Sequence, residues 1–496
     1  MKITRIAVVG AGLAGTTILK KLVRTLPARL DTFYQIDIFE SASKVGPGIA
    51  YMEPVDSLLL NRTTSRMYAC HNGDFLDWMR RKSGNDKTCS NLANQYLPRS
   101  LFGEYLKEVF ADSIAESKLR NISVTLHREN ITDLIEVEKG FKLRLLNSES
   151  RQYQYLFITT GNDMSIDHYG LMGDKDFYIT QFPMTQYEPL FSNDKVNIGI
   201  IGSRLCAVDI AHYLHLRKPS LKLTMLSRQG KVPRSVAPMK FHVLTYFTEQ
   251  AIVRLLAEND GVIRLNQAKA LLQQEIDLHC PGVLLDQIFS EQNSLEKNDK
   301  VYQRLYNIFG STNRVSSQIW RYLPDREKKI FMLRYSSRWM QFRIGVPAQI
   351  SEKIAAMESE GILTVCGSIR NIERADPGFV ATFADGSTRH FDAIVNATGI
   401  KRKIDNHSSL LTCVMLLKRL FEQHPLGGVC VNPENCSARV DQKNNDQLKV
   451  VGQLTCGEFY MVNNVDIISW QVSLAVDDVC RQIAESHSQL TLTGTE

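Results

Sequence analysis

One stretch near the start, Ile6–Gly15 (IAVVGAGLAG), constrains the chain more than any other: a short apolar run enters a glycine turn and then a helical pattern. Its glycines, Gly10, Gly12 and Gly15, have the spacing G-x-G-x-x-G. The first makes the tight turn, the second lets backbone approach a pyrophosphate, and the third lets the helix close on the sheet. The helix N-terminus then offers amides and a dipole that favour an anion. Downstream, Ile18, Leu19, Leu22, Val23 and Leu26 keep a helical period until Pro27 stops it. A second strand, Phe33 to Phe39, ends in Glu40, where a carboxylate accepts the ribose hydroxyls of an adenine dinucleotide. An acid there disfavours a 2′-phosphate, so this first site suits FAD or NAD rather than NADP. A glycine and proline loop follows, Gly46-Pro47-Gly48, in which Gly48 lets backbone amides come close to a cofactor.

The opening pattern recurs at Val196. VNIGIIGSRLCAVDIAHYL reads as strand, turn and helix, and LKLTMLSRQG as the strand that follows, which makes a second Rossmann unit. Here the ribose strand ends in Ser227-Arg228 where the first unit has Glu40, and a hydroxyl beside a guanidinium suits a 2′-phosphate. The second site is therefore expected to bind NADPH through Gly202, Ser203, Ser227 and Arg228. Arg204 stands where this turn ordinarily has its second glycine, and its side chain crowds a pyrophosphate unless it turns outward. Ser227, Arg228 and Gly230 have no evident use in a dead site, so binding is expected to be retained.

The expected fold class is α/β, with two doubly wound, Rossmann-like dinucleotide-binding domains and a mainly helical insertion. Residues 1–165 and 376–490 make the FAD-binding domain from the two ends of the chain. Residues 190–375 make an NAD(P)-binding-like domain that contains the insertion at 239–346. That insertion is longer than any connection needs, and insertions of this size commonly build a lid or a substrate wall. Within it, RYSSRWMQFR, Arg334 to Arg343, is basic and aromatic. A short cluster of this kind near a dinucleotide pocket faces phosphates or carboxylates, or only solvent, and nucleic-acid binding is not expected.

At 496 residues the chain is too long for one core, and its formal charge of +6 is small and spread along its length. No apolar run approaches a bilayer span, and the N-terminal run lacks a cleavage site, so no membrane association and a cytoplasmic location are expected. The 10 cysteines include no C-x-x-C pair, and no metal site is expected. No G-x-S-x-G, H-E-x-x-H or paired-carboxylate signature appears. Asn61 follows three leucines. Such an asparagine either touches a flavin edge or caps the end of a strand.

Several segments together resemble a known family. Ser57-x3-Asn61-x5-Met67 resembles the segment of flavin-containing monooxygenases in which an asparagine sits beside the flavin C4a position. YLPRSLFGEYL, Tyr96 to Leu106, resembles the P-R-x-x-F-x-x-Y motif of bacterial FAD/NAD(P)-binding proteins and N-hydroxylating monooxygenases. Thr159-Thr160-Gly161 and the run Asp392 to Ile400, with Gly399, resemble the A-T-G turns through which the chain leaves and re-enters the FAD domain. Gly452 opens the last turn, which in such proteins faces the flavin, although Gly457-Glu458-Phe459-Tyr460 replaces the usual glycine and tryptophan. The resemblance implies an NADPH-dependent monooxygenase that acts on a small molecule through a flavin C4a-(hydro)peroxide, with Asn61 supporting the peroxide, Arg99 positioning nicotinamide and Arg228 holding the phosphate. Two other readings stay open. One is a flavin oxidase or dehydrogenase with a degenerate second site; the other is a non-catalytic dinucleotide sensor with the insertion as its contact surface.

Overall fold

The computed structural model describes residues 2–28, 32–84, 87–146, 150–161, 165–192, 196–290, 298–405 and 407–493. Its first sheet has six strands in the order Ser437–Val440, Lys443–Val450, Tyr155–Ile158, Lys2–Val9, Thr32–Phe39, Ile122–His127. All neighbours are parallel except the first pair. Ile6, Ala7 and Val8 are wholly buried, in a core that the helices share with Leu134, Phe141 and Leu143 of an antiparallel three-stranded sheet, Ile131–Val137, Gly140–Leu145 and Arg151–Tyr153. The helix Leu13–Thr25 lays Ile18, Leu19, Leu22 and Val23 on one face of the first sheet. The long C-terminal helix Val465–Thr493 packs Val472, Ala475, Val476 and Val479 into the same core.

The second sheet has five parallel strands in the order Leu363–Cys366, Lys222–Leu226, Asn197–Ile201, Ala393–Asn396, Phe177–Tyr178. Its turn repeats the first one bond for bond. In the first sheet Gly10 N donates to Phe39 O at 2.8 Å and Thr159 N to Val9 O at 2.8 Å; in the second, Gly202 N donates to Leu226 O at 2.7 Å and Ala397 N to Ile201 O at 2.8 Å. In each sheet the glycine turn thus sits at the carboxyl end of an inner strand, between neighbours reached by opposite crossovers, which is where open α/β sheets hold their ligands.

Between the second sheet's strands run the helices Glu249–Glu258, Leu265–His279, Leu285–Phe289, Asp299–Ser311, Asn313–Tyr322, Asp325–Arg334 and Ser336–Gln341. They enclose a core of their own around Phe309, Trp320, Trp339 and Phe342, and Tyr460 from the last turn of the first domain belongs to it. Glu275, fully buried, anchors the entry to these helices by accepting the amides of Thr245, Tyr246 and Phe247.

Candidate functional site

The first cradle is built by contact between glycines. A Cβ on Gly15 would lie 1.9 Å from Gly10 O, so only glycine lets the helix sit this close to the turn. Gly12 faces Gly48, and a Cβ on Gly12 would come within 3.3 Å of Gly48 Cα. Gly46 N donates to Ala11 O at 2.7 Å, which holds the two glycine loops together. Glu40 lies at the carboxyl end of its strand, accepting Ala11 N through one carboxylate oxygen and Ala42 N through the other, both at 2.9 Å. Thr159 Oγ1 ties the third strand end to this turn through Val9 O and Gly10 O, each at 2.9 Å.

In the second cradle, Ser203 and Ser227 serve to build the turn. Ser203 Oγ donates to Lys231 O at 2.6 Å and also lies 3.0 Å from Ser227 Oγ, which accepts Gly230 N at 2.9 Å. Gly202 takes φ +114°, and its Cβ position would meet Ala397 O. Arg228 is exposed beyond the strand end. Arg204 does not reach across the turn: its Nη2 donates to Ser337 Oγ at 2.8 Å, on the helical insertion.

A cavity of about 150 Å³ lies where the parts meet. Asn61, Arg62, Arg66 and Met67 line it from the first domain, and Leu205 from the start of the second dinucleotide helix, Leu205–Arg217. The insertion contributes Phe241, Tyr306 and Arg343, and Asn463, Asn464 and Val465 form its wall at the start of the C-terminal helix. The Asn61 side chain is exposed and makes no hydrogen bond among the described residues. Asp466 organises one side of the cavity. It accepts Arg62 Nη2 at 2.8 Å, Tyr68 Oη at 2.7 Å and Asn313 Nδ2 at 3.4 Å, while Arg62 Nη1 donates to Asn464 Oδ1 at 2.8 Å.

Arg99 lies elsewhere. Its Nε donates to Leu59 O at 3.0 Å, and its Nη2 pairs with Asp209 Oδ2 at 2.6 Å on the second dinucleotide helix. The guanidinium therefore joins one domain to the other, and it is not among the residues that line the cavity. Sequence reasoning also missed Arg62, Arg66, Arg343 and Asp466. The signal for Arg343 was the basic, aromatic run at Arg334 to Arg343, but two of its arginines point inward: Arg338 and Arg343 are 6% and 8% exposed.

Residues 7–163 match the model of a family described as FAD-NAD(P)-binding. The chain is also 21% identical to the uncharacterized protein YdhS of Escherichia coli (strain K12), over 80% of this chain and 83% of that one. Among solved structures its fold is similar to that of DfoA, the cadaverine monooxygenase of Erwinia amylovora bound to FAD, at a TM-score of 0.60 and 10% identity over 97% and 95% of the two chains. L-lysine 6-monooxygenase of Pseudomonas syringae superposes at 0.57 and 13% identity over 96% and 99%. The Kutzneria sp. 744 ornithine N-hydroxylase with reduced FAD, NADP+ and L-ornithine superposes at 0.56 and 13% identity over 96% and 99%.

The FAD-NAD(P)-binding domain fits an adenine dinucleotide. Gly161, Gly399 and Gly452 take φ of +80°, +97° and +91°, and a Cβ on any of them would meet no atom of the described residues within 4 Å. Their positive φ is what requires glycine, and the faces they leave bare are open to a ligand. Gly10 and Gly15, by contrast, are filled against protein backbone. In the FAD domain's last turn Gly452 is fixed from below, its N donating to Gln471 Oε1 at 2.8 Å.

Proposed function

We propose that this chain is an NADPH-dependent, FAD-containing monooxygenase acting on a small molecule. The observation that carries the reading is the shared cavity, into which the first dinucleotide domain, the second dinucleotide helix, the insertion and the last turn all present residues. FAD supplies the redox chemistry when bound: reduced by NADPH, it activates oxygen for transfer of one atom to a nucleophilic nitrogen, sulfur or carbonyl group.

The chain's own residues bind and orient. Glu40 receives ribose hydroxyls at the lone pairs its two amide contacts leave free, and the amides of the helix start at Leu13 face the pyrophosphate. Asn61 offers an amide donor and acceptor at the cavity wall. Arg228 meets the 2′-phosphate as an exposed guanidinium, while Ser203 and Ser227 hold its loop in shape. Phe241, Tyr306, Met239 and Met340 close the cavity from the insertion side and keep water from the reacting groups.

Arg204 favours a second reading, a flavin oxidase or dehydrogenase with a degenerate second site, but its engagement with Ser337 supports a turn left open to pyrophosphate. Rapid-mixing absorbance of FAD-loaded protein separates the two. Anaerobic NADPH is expected to bleach the yellow protein and oxygen to restore its colour. Reduction by substrate and none by NADPH would establish the second reading, and a protein that takes up no flavin would end both.

A further inference from the structure

The charge in the cavity is unbalanced. Three guanidinium groups, Arg62, Arg66 and Arg343, line it, and no aspartate or glutamate does. The carboxylate that reaches them, Asp466, is engaged by Arg62 and by the Tyr68 hydroxyl. Arg343 is 8% exposed, and no carboxylate pairs with it among the described residues. Its Nη1 donates to Thr312 Oγ1 at 3.1 Å, its Nε has no partner among the described residues, and its guanidinium lies 5.2 Å from the centre of the Trp339 ring. Arg66 Nε is also unpartnered among the described residues, with the guanidinium 3.2 Å from the centre of the Phe241 ring.

Burial lowers both groups to about 10, Arg62 adding to the effect at each, so both remain charged at neutral pH. A buried cation with an unmatched donor is costly unless an anion completes it. Guanidinium is also the side chain whose planar fork matches an oxyanion with two parallel hydrogen bonds.

We infer that this cavity takes an acidic small molecule bearing a carboxylate or phosphate group, with Arg343 and Arg66 as its binding residues. This rests on reading the cavity as the substrate site of the proposed monooxygenase. A cationic amine has no carboxylate to meet on the lining, whereas an acidic molecule meets the positive charge of Arg62, Arg66 and Arg343.

Titration of the full chain, followed by tryptophan fluorescence through Trp339, tests this with glutarate, inorganic phosphate and cadaverine as probes. Glutarate and cadaverine share a five-carbon chain and differ in the sign of their charge. At least one of the two anions is expected to bind at least tenfold more tightly than cadaverine. Arg343→Met is expected to weaken that anion at least tenfold, and Arg343→Lys by less. If circular dichroism shows Arg343→Met to be unfolded, Arg66→Met takes its place with the same expectation. Equal or tighter binding of cadaverine would overturn the inference, as would anion affinity unchanged in the folded variant. Competitive displacement of the anion by NADP+ would assign the arginines to the coenzyme and overturn it too. The fluorescence signal needs no flavin, so failure of flavin uptake would end the monooxygenase reading while the anion result is still read.

Discussion

The Arg99–Asp209 pair offers the sharpest test of how the two dinucleotide domains are held together. The side chains are 17% and 14% exposed, the contact is 2.6 Å, and Leu59 O takes a second donor of the same guanidinium. Removing one member of a buried ion pair leaves the other charged and desolvated, a loss of about 3–5 kcal/mol for a fully buried pair. The remaining exposure of this pair reduces that to about 2–4 kcal/mol for either Arg99→Met or Asp209→Leu. The double variant removes both charges at once, so it is expected to cost no more than the milder single, which gives a coupling energy at least as large as the costlier single, about 2–4 kcal/mol. Urea denaturation of the four proteins measures each value. Single variants that each lose less than about 1 kcal/mol, or costs that simply add, would refute the assignment of this pair as a tie between domains. The proposal that Arg99 positions nicotinamide is tested on the same proteins: it requires the folded Arg99→Met variant to slow flavin reduction by NADPH far more than Asp209→Leu does.

Other expectations follow from single contacts. Gly15→Ala drives a Cβ to 1.9 Å from Gly10 O and is expected to yield no soluble protein, whereas Gly12→Ala, at 3.3 Å from Gly48 Cα, should fold yet lose flavin. The absorbance ratio at the flavin and protein bands reports the difference, and full flavin content in Gly12→Ala would contradict the cradle. Arg228→Ala should raise the KM for NADPH at least tenfold, about 1.4 kcal/mol, and leave that for NADH unchanged in steady-state assays. His212, 2% exposed on the second dinucleotide helix, is pushed down to about 4 by burial, with Lys353 and His215 adding to it. Its pKa is thus depressed in the folded state, so the stability it contributes above pH 6.5 is lost as pH falls from 6.5 towards 4, at no more than about 1.4 kcal/mol per pH unit. Thermal midpoints across that range should fall more steeply for the natural protein than for His212→Leu.

The parts legible in the sequence were those whose physics is local. IAVVGAGLAG and VNIGIIG each carry a buried strand, a turn that needs positive φ, and a helix start within one short window, and both turns close with the same backbone bonds. The place of Glu40 was legible because it directly follows the strand Thr32–Phe39, whereas Arg228 stands two residues beyond the strand Lys222–Leu226 and is exposed. The cavity was not, because its charged wall joins positions 62, 66 and 343, with Asp466 pairing to Arg62, and no spacing rule connects residues that only tertiary packing brings together. The same limit applies to Arg99. Its motif marks the start of the helix Arg99–Ser117, but its partner Asp209 stands on a different domain. The run at Arg334 to Arg343 showed charge and aromaticity without showing which way either faced, since a guanidinium stacked on a tryptophan is as much at home inside as outside.

Trp320 of the insertion donates through Nε1 to Gly457 O at 3.0 Å, and its ring stacks 4.9 Å from that of Tyr460, while Ser317 Oγ donates to Tyr460 O at 3.2 Å. The insertion is therefore clasped to the closing turn of the chain, although well over a hundred residues separate the two in sequence. A graft that exchanged the helices alone between relatives would leave Tyr460 with no socket and Gly457 O with no donor. Chimaeras are expected to survive only when residues 457–461 travel with the helices, so that the two behave as one inherited module.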